Sequence, residues 1–132
     1  MVPANTDDPI LPYRGGPVGR RARDKEARGT VLSTVDTVKY WLARDGIKTE
    51  PAVTDMPDTD THDGSTVHVE RFTGGKDDSE LVLFEVRGGG HTEPSRSERY
   101  SLLYRLIVGE QNGDIEMADE VWNFFSVHAR DN

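Results

Sequence analysis

The fold is decided by the stretch LVLFEVRGGGH, which occupies residues 81–91. Its first six residues are apolar except for Glu85, and such a run is typical of a β-strand that is covered on both faces in an α/β sheet. Three glycines and His91 follow, which predicts a histidine on a loop at the carboxyl edge of the strand, where active sites of open α/β sheets gather. On position alone, a histidine without a function is the more frequent outcome, so both interpretations stay open here.

The residues before this stretch predict more elements of the same fold. Val67 and Val69 alternate with polar residues, which predicts a strand over 65–73 that lies beside a strand over 80–87. Farther upstream, a serine cap and a glycine stop signal predict a helix over 33–45.

The remaining segments are predicted from their prolines and from apolar spacing. Residues 1–16 contain three prolines and are predicted to be extended and turning, while residues 50–64 are predicted to form a loop. A short helical stretch is predicted around 101–108 and a final helix over 114–128. The bulky aromatic residues are predicted to be core rather than a binding stripe; they are Trp41, Trp122, Phe124 and Phe125.

Together these elements predict an α/β fold with few strands and two main helices. A strand covered on both faces needs neighbours on each side, and the chain offers few. We therefore expect the C-terminal portion of a larger sheet, incomplete without an N-terminal half.

Composition excludes several classes of function. The chain has 132 residues, enough for one domain, and a net charge of −8, which argues against a nucleic-acid partner. Its basic residues cluster at Arg14 and over 20–28, where acidic residues interrupt them, so a solvated loop is favoured over a phosphate-binding patch. Cysteine is absent, which excludes thiolate chemistry and disulfides. No apolar run approaches 18 residues and no signal pattern is visible, so we expect a soluble chain without a membrane partner, in an unknown compartment.

Asp8 is the second residue that points to chemistry. It precedes Pro9 at the point where an extended segment turns, so its carboxylate is predicted to project from a loop with little backbone freedom. An aspartate before proline is also a common way to open a turn, and from the residues alone that interpretation is the favoured one.

Two loops and the last helix resemble the polyhydroxybutyrate-depolymerase-like serine esterases, which are related to feruloyl esterases and belong to the α/β-hydrolase superfamily. The resemblance is carried by TDDPILPYRGG at residues 6–16, by GGGHT at 88–92 and by VWNFF at 121–125. It implies that residues 1–132 are the C-terminal segment of one α/β-hydrolase domain, with an acid loop over 5–16 and a histidine loop over 88–94. Asp8, and not Asp7, would then be the acid of a catalytic triad and His91 its base.

The resemblance implies hydrolysis of carboxylic esters without a cofactor, yet essential parts are missing. In α/β-hydrolases the serine nucleophile precedes the acid and the histidine in the chain. No serine of this sequence lies in a Gly-x-Ser-x-Gly frame, and the loop that forms the oxyanion hole is likewise absent. We therefore expect a truncated chain with no nucleophile, inactive alone, whose ester substrate binds only to a complete parent enzyme.

The chain also departs from the family pattern at two places beside these loops. Many relatives have tryptophan where this chain has Glu93, a substrate-side position by resemblance, so the identity of the ester is left open. The family often has His-Gly where this chain has Ala4 and Asn5.

Two alternatives accompany the esterase interpretation. The chain could be a non-catalytic module derived from an α/β-hydrolase that forms a homo-oligomer or binds a complementing N-terminal half. A weaker alternative is an independent enzyme that uses His91 and carboxylates with a metal.

No metal is predicted from the spacing of possible ligands. Asp58, Asp60 and Asp63 only faintly resemble a calcium loop, because Val69 stands where a bidentate glutamate is expected. The other histidines lack metal-ligand spacing and are predicted to be surface residues; they are His62, His68 and His128.

Overall fold

The structure, a computed structural model, describes residues 1–19 and 28–128. These residues form a mixed α/β fold with one four-stranded sheet, one two-stranded sheet and three α-helices. The strands are β1 (Val2–Asn5), β2 (Gly16–Pro17), β3 (Thr30–Val31), β4 (Ala52–Asp55), β5 (Thr66–Phe72) and β6 (Leu81–Arg87). The helices are α1 (Thr34–Asp45), α2 (Leu102–Val108) and α3 (Met117–Ser126), with one 3-10 turn at Lys76–Asp78.

The larger sheet has the strand order β1-β6-β5-β4. β6 pairs in parallel with β1 and antiparallel with β5, and β5 pairs antiparallel with β4. The first four residues of β6 are all buried, so the prediction of a strand covered on both faces is confirmed. The strands predicted over 65–73 and 80–87 are β5 and β6.

Each face of the sheet carries its own hydrophobic core. On one face Val38 of α1 and Ile47 pack against side chains of β5 and β6. On the other face Ile115 and Met117 pack against the alternate side chains of the same strands. Because the side chains of a strand alternate between its faces, the apolar run of β6 contributes to both cores.

Helix α1 begins and ends as predicted. Ser33 Oγ accepts a hydrogen bond from the backbone N–H of Asp36 at 3.0 Å, and Gly46 ends the helix with a φ of 69°. The short helix predicted around 101–108 is α2.

The start of the last helix was predicted too early. α3 begins at Met117 rather than at residue 114, because Asp114 is buried and its carboxylate accepts hydrogen bonds from the backbone N–H groups of Thr59 and Asp60. The backbone here is also bonded to another segment, because Asp114 O accepts from Arg96 Nε at 2.6 Å and Met117 N–H donates to Pro94 O at 3.1 Å.

Two predictions about packing and one about a loop are wrong. Trp122 is 73% exposed and Phe125 is also exposed, because only part of the apolar stripe of α3 reaches the sheet. Trp41 and Phe124 are half-buried against the two cores, as predicted. The segment 50–64, predicted to be a loop, contains the edge strand β4, whose four residues are all exposed and therefore lack apolar alternation.

The side of the sheet beyond β1 is open. No strand of the described ranges pairs with the outer edge of β1. Nearby in sequence to the histidine loop, α2 exposes large apolar side chains: Leu102, Leu103 and Leu106.

None of the helices in residues 1–19 and 28–128 combines the length and apolarity that would let it cross a bilayer. Arg14 and Arg28 are exposed, and the rest of the basic cluster lies outside the described residues.

Candidate active site

The acid loop and the histidine loop lie side by side beyond the ends of β1 and β6. The parallel pairing continues past the strands, since Thr6 N–H donates to Val86 O and Asp7 N–H donates to Gly89 O, both at 3.0 Å. The acid loop is thus joined by backbone hydrogen bonds to the strand that leads into His91.

Side chains reinforce this junction. Gly88 N–H donates to Thr6 Oγ1 at 2.9 Å, and Asn5 Nδ2 donates to the carbonyl of Thr92 at 3.0 Å. Asn5 is one of the positions where the chain departs from the esterase pattern, and here its amide links the two loops directly.

Asp8 and His91 meet at this junction. His91 Nδ1 lies 2.8 Å from Asp8 Oδ2, and the Asp8 side chain is only 7% exposed. The other carboxylate oxygen, Oδ1, accepts hydrogen bonds from the N–H groups of Ile10 at 2.7 Å and Leu11 at 2.8 Å. Both oxygens of a buried carboxylate are therefore occupied, one by the backbone and one by the imidazole.

This geometry selects the tautomer of the imidazole. With Asp8 ionised, Nδ1 carries the proton and donates it in a charge-assisted hydrogen bond. Nε2 then keeps its lone pair, and no group in the described residues hydrogen-bonds it. The His91 side chain is 38% exposed and lines an open cleft. Such a nitrogen is suited to accept and return a proton.

The glycines before His91 are required by close contacts. A Cβ on Gly90 would lie 2.4 Å from the backbone of Gly109, and a Cβ on Gly88, whose φ is +79°, would lie 2.5 Å from the carbonyl of Gly64. This crossing lets His91 N–H donate to Val108 O at 2.6 Å, so the histidine loop rests on the end of α2. These glycines therefore allow the backbone of the histidine loop to approach neighbouring backbone closely.

The segment after His91 is held by two polar side chains that the sequence analysis did not single out. Buried Gln111 accepts from the N–H of Tyr100 at 2.8 Å and donates to the carbonyls of Glu93 and Glu98, each at 2.9 Å. Glu116 Oε2 receives Ser95 Oγ at 3.0 Å, and this bond and others from the same segment hold the pKa of the Glu116 carboxyl below its usual value. The signal available for Gln111 was a polar run, QNGD at 111–114, shortly before the last helix.

The cleft has a volume of about 680 Å³ and runs along the open edge of β1. Asp8, His91 and Glu93 line it together. The rest of its lining is mostly apolar, from β1, from the segment leading into α1 and from the side of α2 and α3: Val2, Ala4, Leu32, Tyr104, Met117 and Val121. The structure thus brings all three residues singled out by the sequence to one cleft.

No serine in the chain reaches this histidine. All seven serines lie in the described residues, and none of them hydrogen-bonds His91. The one nearest in sequence, Ser95, is buried and donates to Glu116 instead.

The residues considered as metal ligands are not brought together. In the described ranges, no group of three or more His, Asp or Glu side chains could hold a metal ion. Asp63 is buried and accepts from the N–H groups of Ser65 at 2.8 Å and Gly113 at 2.7 Å, and Asp60 pairs with Arg99. Hydrogen-bond donors of the protein occupy these carboxylates.

The remaining histidines are placed as follows. His62 and His128 are exposed, as predicted. The prediction for His68 is wrong: its side chain is only 16% exposed, because it lies on a central strand and its Nδ1 is 2.6 Å from Asp55 Oδ1 on the neighbouring strand.

Comparison with protein-family models, curated proteins and solved structures finds no match to this chain. The resemblance to polyhydroxybutyrate-depolymerase-like esterases therefore stays a prediction, and the functional argument depends on the geometry of the cleft.

Proposed function

We propose that this chain is the acid–base part of a serine esterase of the polyhydroxybutyrate-depolymerase-like type, built on the C-terminal portion of an α/β-hydrolase sheet. The observation that carries the proposal is the hydrogen bond of 2.8 Å between His91 Nδ1 and the buried carboxylate of Asp8, at the carboxyl end of a parallel strand pair. An α/β sheet presents its catalytic groups at this end of its strands.

The proton would move as follows. A serine hydroxyl supplied next to His91 gives its proton to Nε2 while its oxygen forms a bond to the ester carbonyl carbon. Asp8 keeps the Nδ1 proton in place and stabilises the imidazolium that results. Nε2 then returns the proton to the departing alkoxide, and a water molecule repeats the sequence to release the acid from the serine.

The nucleophile and the oxyanion donors belong to a polypeptide segment that these 132 residues do not contain. Their loss removes the largest contributions to catalysis, so the chain alone is inactive. The cleft beside the open edge of β1 offers the space in which such a segment would lie, and its apolar walls suit a strand with apolar side chains on both faces.

Complementation tests the proposal. The chain is co-expressed with an N-terminal half that contains Gly-x-Ser-x-Gly, taken from the coding sequence upstream of Met1 or from a related esterase, and hydrolysis of p-nitrophenyl butyrate is measured. We expect activity that falls by about 10³–10⁴-fold in Asp8→Asn and His91→Ala. Asp7→Asn and His62→Ala are matched controls at exposed positions and should retain the activity. Activity that ignores Asp8 and His91 would contradict the proposal.

A second candidate is a non-catalytic interaction or assembly module, and one observation favours it. Leu103 is 76% exposed, and Leu102 and Leu106 on the same helix α2 are exposed as well. Within the described residues, the outer edge of β1 also has no partner strand. Apolar patches and open edges of this kind drive association. Sedimentation velocity over a range of concentrations distinguishes this candidate from the esterase. The assembly module requires a dimer that Leu103→Glu dissociates, and a stable monomer at every concentration contradicts it.

A further inference from the structure

Glu85 is an unusual residue for the centre of a buried strand. It lies between Phe84 and Val86, both buried, and its own side chain is only 18% exposed. Charged side chains are rarely placed in such positions unless their hydrogen bonds are satisfied. Glu85 Oε1 accepts from Arg87 Nε at 2.6 Å, and Oε2 accepts from the hydroxyl of Tyr13.

Tyr13 belongs to the acid loop, five positions after Asp8. Burial and the hydrogen bond to Glu85 raise the pKa of the Tyr13 hydroxyl well above its usual value. Burial alone would raise the pKa of the Glu85 carboxyl, but the hydrogen bonds from Tyr13 and Arg87 bring it below its usual value. Tyr13 therefore stays the donor and Glu85 stays an ionised acceptor at neutral pH.

The segment between Asp8 and Tyr13 determines the direction of the Asp8 carboxylate. The N–H groups that hold Asp8 Oδ1 belong to Ile10 and Leu11, which lie between Asp8 and Tyr13. Before Asp8, the loop is fixed to the histidine loop by Asp7 N–H on Gly89 O. After Asp8, backbone hydrogen bonds join the loop to other segments. One of them is the bond that Thr34 N–H donates to Tyr13 O. The hydroxyl of Tyr13 ties this second half to β6, the strand that leads into His91.

We propose that Tyr13 is a positioning residue, which holds the second half of the acid loop against β6 through Glu85 and so directs the Asp8 carboxylate toward His91. The proposal concerns the acid–base pair itself and goes beyond the proposed function, because it holds whatever substrate the completed site takes. The proposal also explains why a carboxylate lies within β6, since Glu85 accepts the hydrogen bond from Tyr13 that holds the loop.

The pair can be observed in the chain alone by NMR. A hydrogen bond from Nδ1–H to a carboxylate shifts this proton far downfield and slows its exchange with water. We expect the His91 Nδ1–H signal in the parent chain, and we expect Tyr13→Phe to abolish it or to raise its exchange rate by about tenfold or more, since a hydrogen bond to an ionised group is lost. Tyr100→Phe is the matched control, because Tyr100 lines the same cleft without contact to Glu85, and it should leave the signal unchanged.

The outcomes separate positioning from mere stabilisation. If Tyr13→Phe stays folded by its amide spectrum and keeps the His91 signal at the parent exchange rate, the proposal is overturned, even if its melting temperature falls. If Tyr13→Phe does not fold, Glu85→Gln decides, because its amide oxygen still accepts from Tyr13 but more weakly. An exchange rate raised by about two- to fivefold in Glu85→Gln supports the proposal, and an unchanged rate overturns it. Failure of the complementation assay with an intact His91 signal would count against the esterase and leave the positioning role standing.

Discussion

Asp8 and Asp114 are two buried carboxylates in the same small fold, and their surroundings differ in one respect. Asp114 accepts from Thr59, Asp60 and Asn112, all of them donors with a fixed proton at neutral pH. Asp8 accepts from the backbone on one oxygen only, and its other oxygen meets an imidazole that borders the cleft. Burial and hydrogen bonding alone therefore do not identify a functional carboxylate. What distinguishes Asp8 is an imidazole partner whose side chain lines an open cleft.

The largest difference is expected when each carboxylate is removed. Asp114→Ala leaves the donors of Thr59, Asp60 and buried Asn112 without their acceptor and should lower the free energy of unfolding by about 3–5 kcal/mol. Asp8→Asn keeps an oxygen for the Ile10 and Leu11 amides and should cost only about 1 kcal/mol. Urea denaturation followed by circular dichroism measures both values. Equal losses of free energy in the two variants would contradict the difference described between Asp8 and Asp114.

A smaller effect is expected at the glycine crossing that supports His91. Gly90→Ala places a Cβ against the backbone of Gly109 and should cost about 2–3 kcal/mol, with displacement of the His91 NMR signals. Gly29→Ala is the control: its φ is +76° but the space around it is open, so about 1 kcal/mol is expected. A Gly90→Ala variant as stable as Gly29→Ala would show that the crossing is looser than described.

The dependence of stability on pH sharpens the comparison further. Burial would raise the pKa of the Asp114 carboxyl, but hydrogen bonds from Asp60, Asn112 and Thr59 bring this pKa below its usual value. A carboxyl with a lowered pKa in the folded state adds stability above its unfolded pKa and loses this contribution as the pH falls through the folded pKa. The urea concentration at the unfolding midpoint should therefore fall as the pH is lowered below about 4, and it should fall less steeply in Asp114→Asn than in the parent chain. Parallel curves for Asp114→Asn and the parent chain would contradict this assignment.

The smallest effect is expected at Glu93, which shares the cleft with His91 through an exposed side chain. Its backbone carbonyl, and not its carboxylate, receives the Gln111 amide. Glu93→Gln should therefore change the free energy of unfolding by less than about 0.5 kcal/mol. If the chain is part of an esterase, the same substitution should alter the relative rates for charged and neutral esters in the complementation assay.

The sequence predicted the central part of the fold because its signals there are local. The apolar run of β6, the alternation in β5 and the cap of α1 each lie within a few residues. The candidate site was predicted from the order of the Asp8 and His91 loops in the chain. Edge strand β4 was missed because all its side chains are exposed, so burial imposes no pattern on it. Trp122 and Phe125 were assigned to the core because apolar spacing shows that a stripe exists but not what covers it.

The supports of the site could not be read from the sequence for a different reason. Tyr13 and Glu85 lie 72 positions apart, and the bond between them exists only once β1 and β6 have paired. Gln111 and Glu116 likewise hold a segment that precedes them by more than ten positions. The visible hint was a charged residue in an apolar run at Glu85 and a polar run at 111–114, but in both cases the partners depend on tertiary structure.

The contact of His91 with α2 couples the position of this helix to the position of the imidazole. The backbone N–H of His91 is bonded to Val108, the last residue of α2, and Gly90 and Gly109 cross without room for a side chain. A shift of this helix is therefore transmitted to the imidazole through rigid backbone. A ligand or polypeptide that prefers one position of α2 will therefore change the position of the His91 imidazole in the cleft. By thermodynamic linkage, a ligand that binds His91 will change the affinity of α2 for such a partner to the same degree.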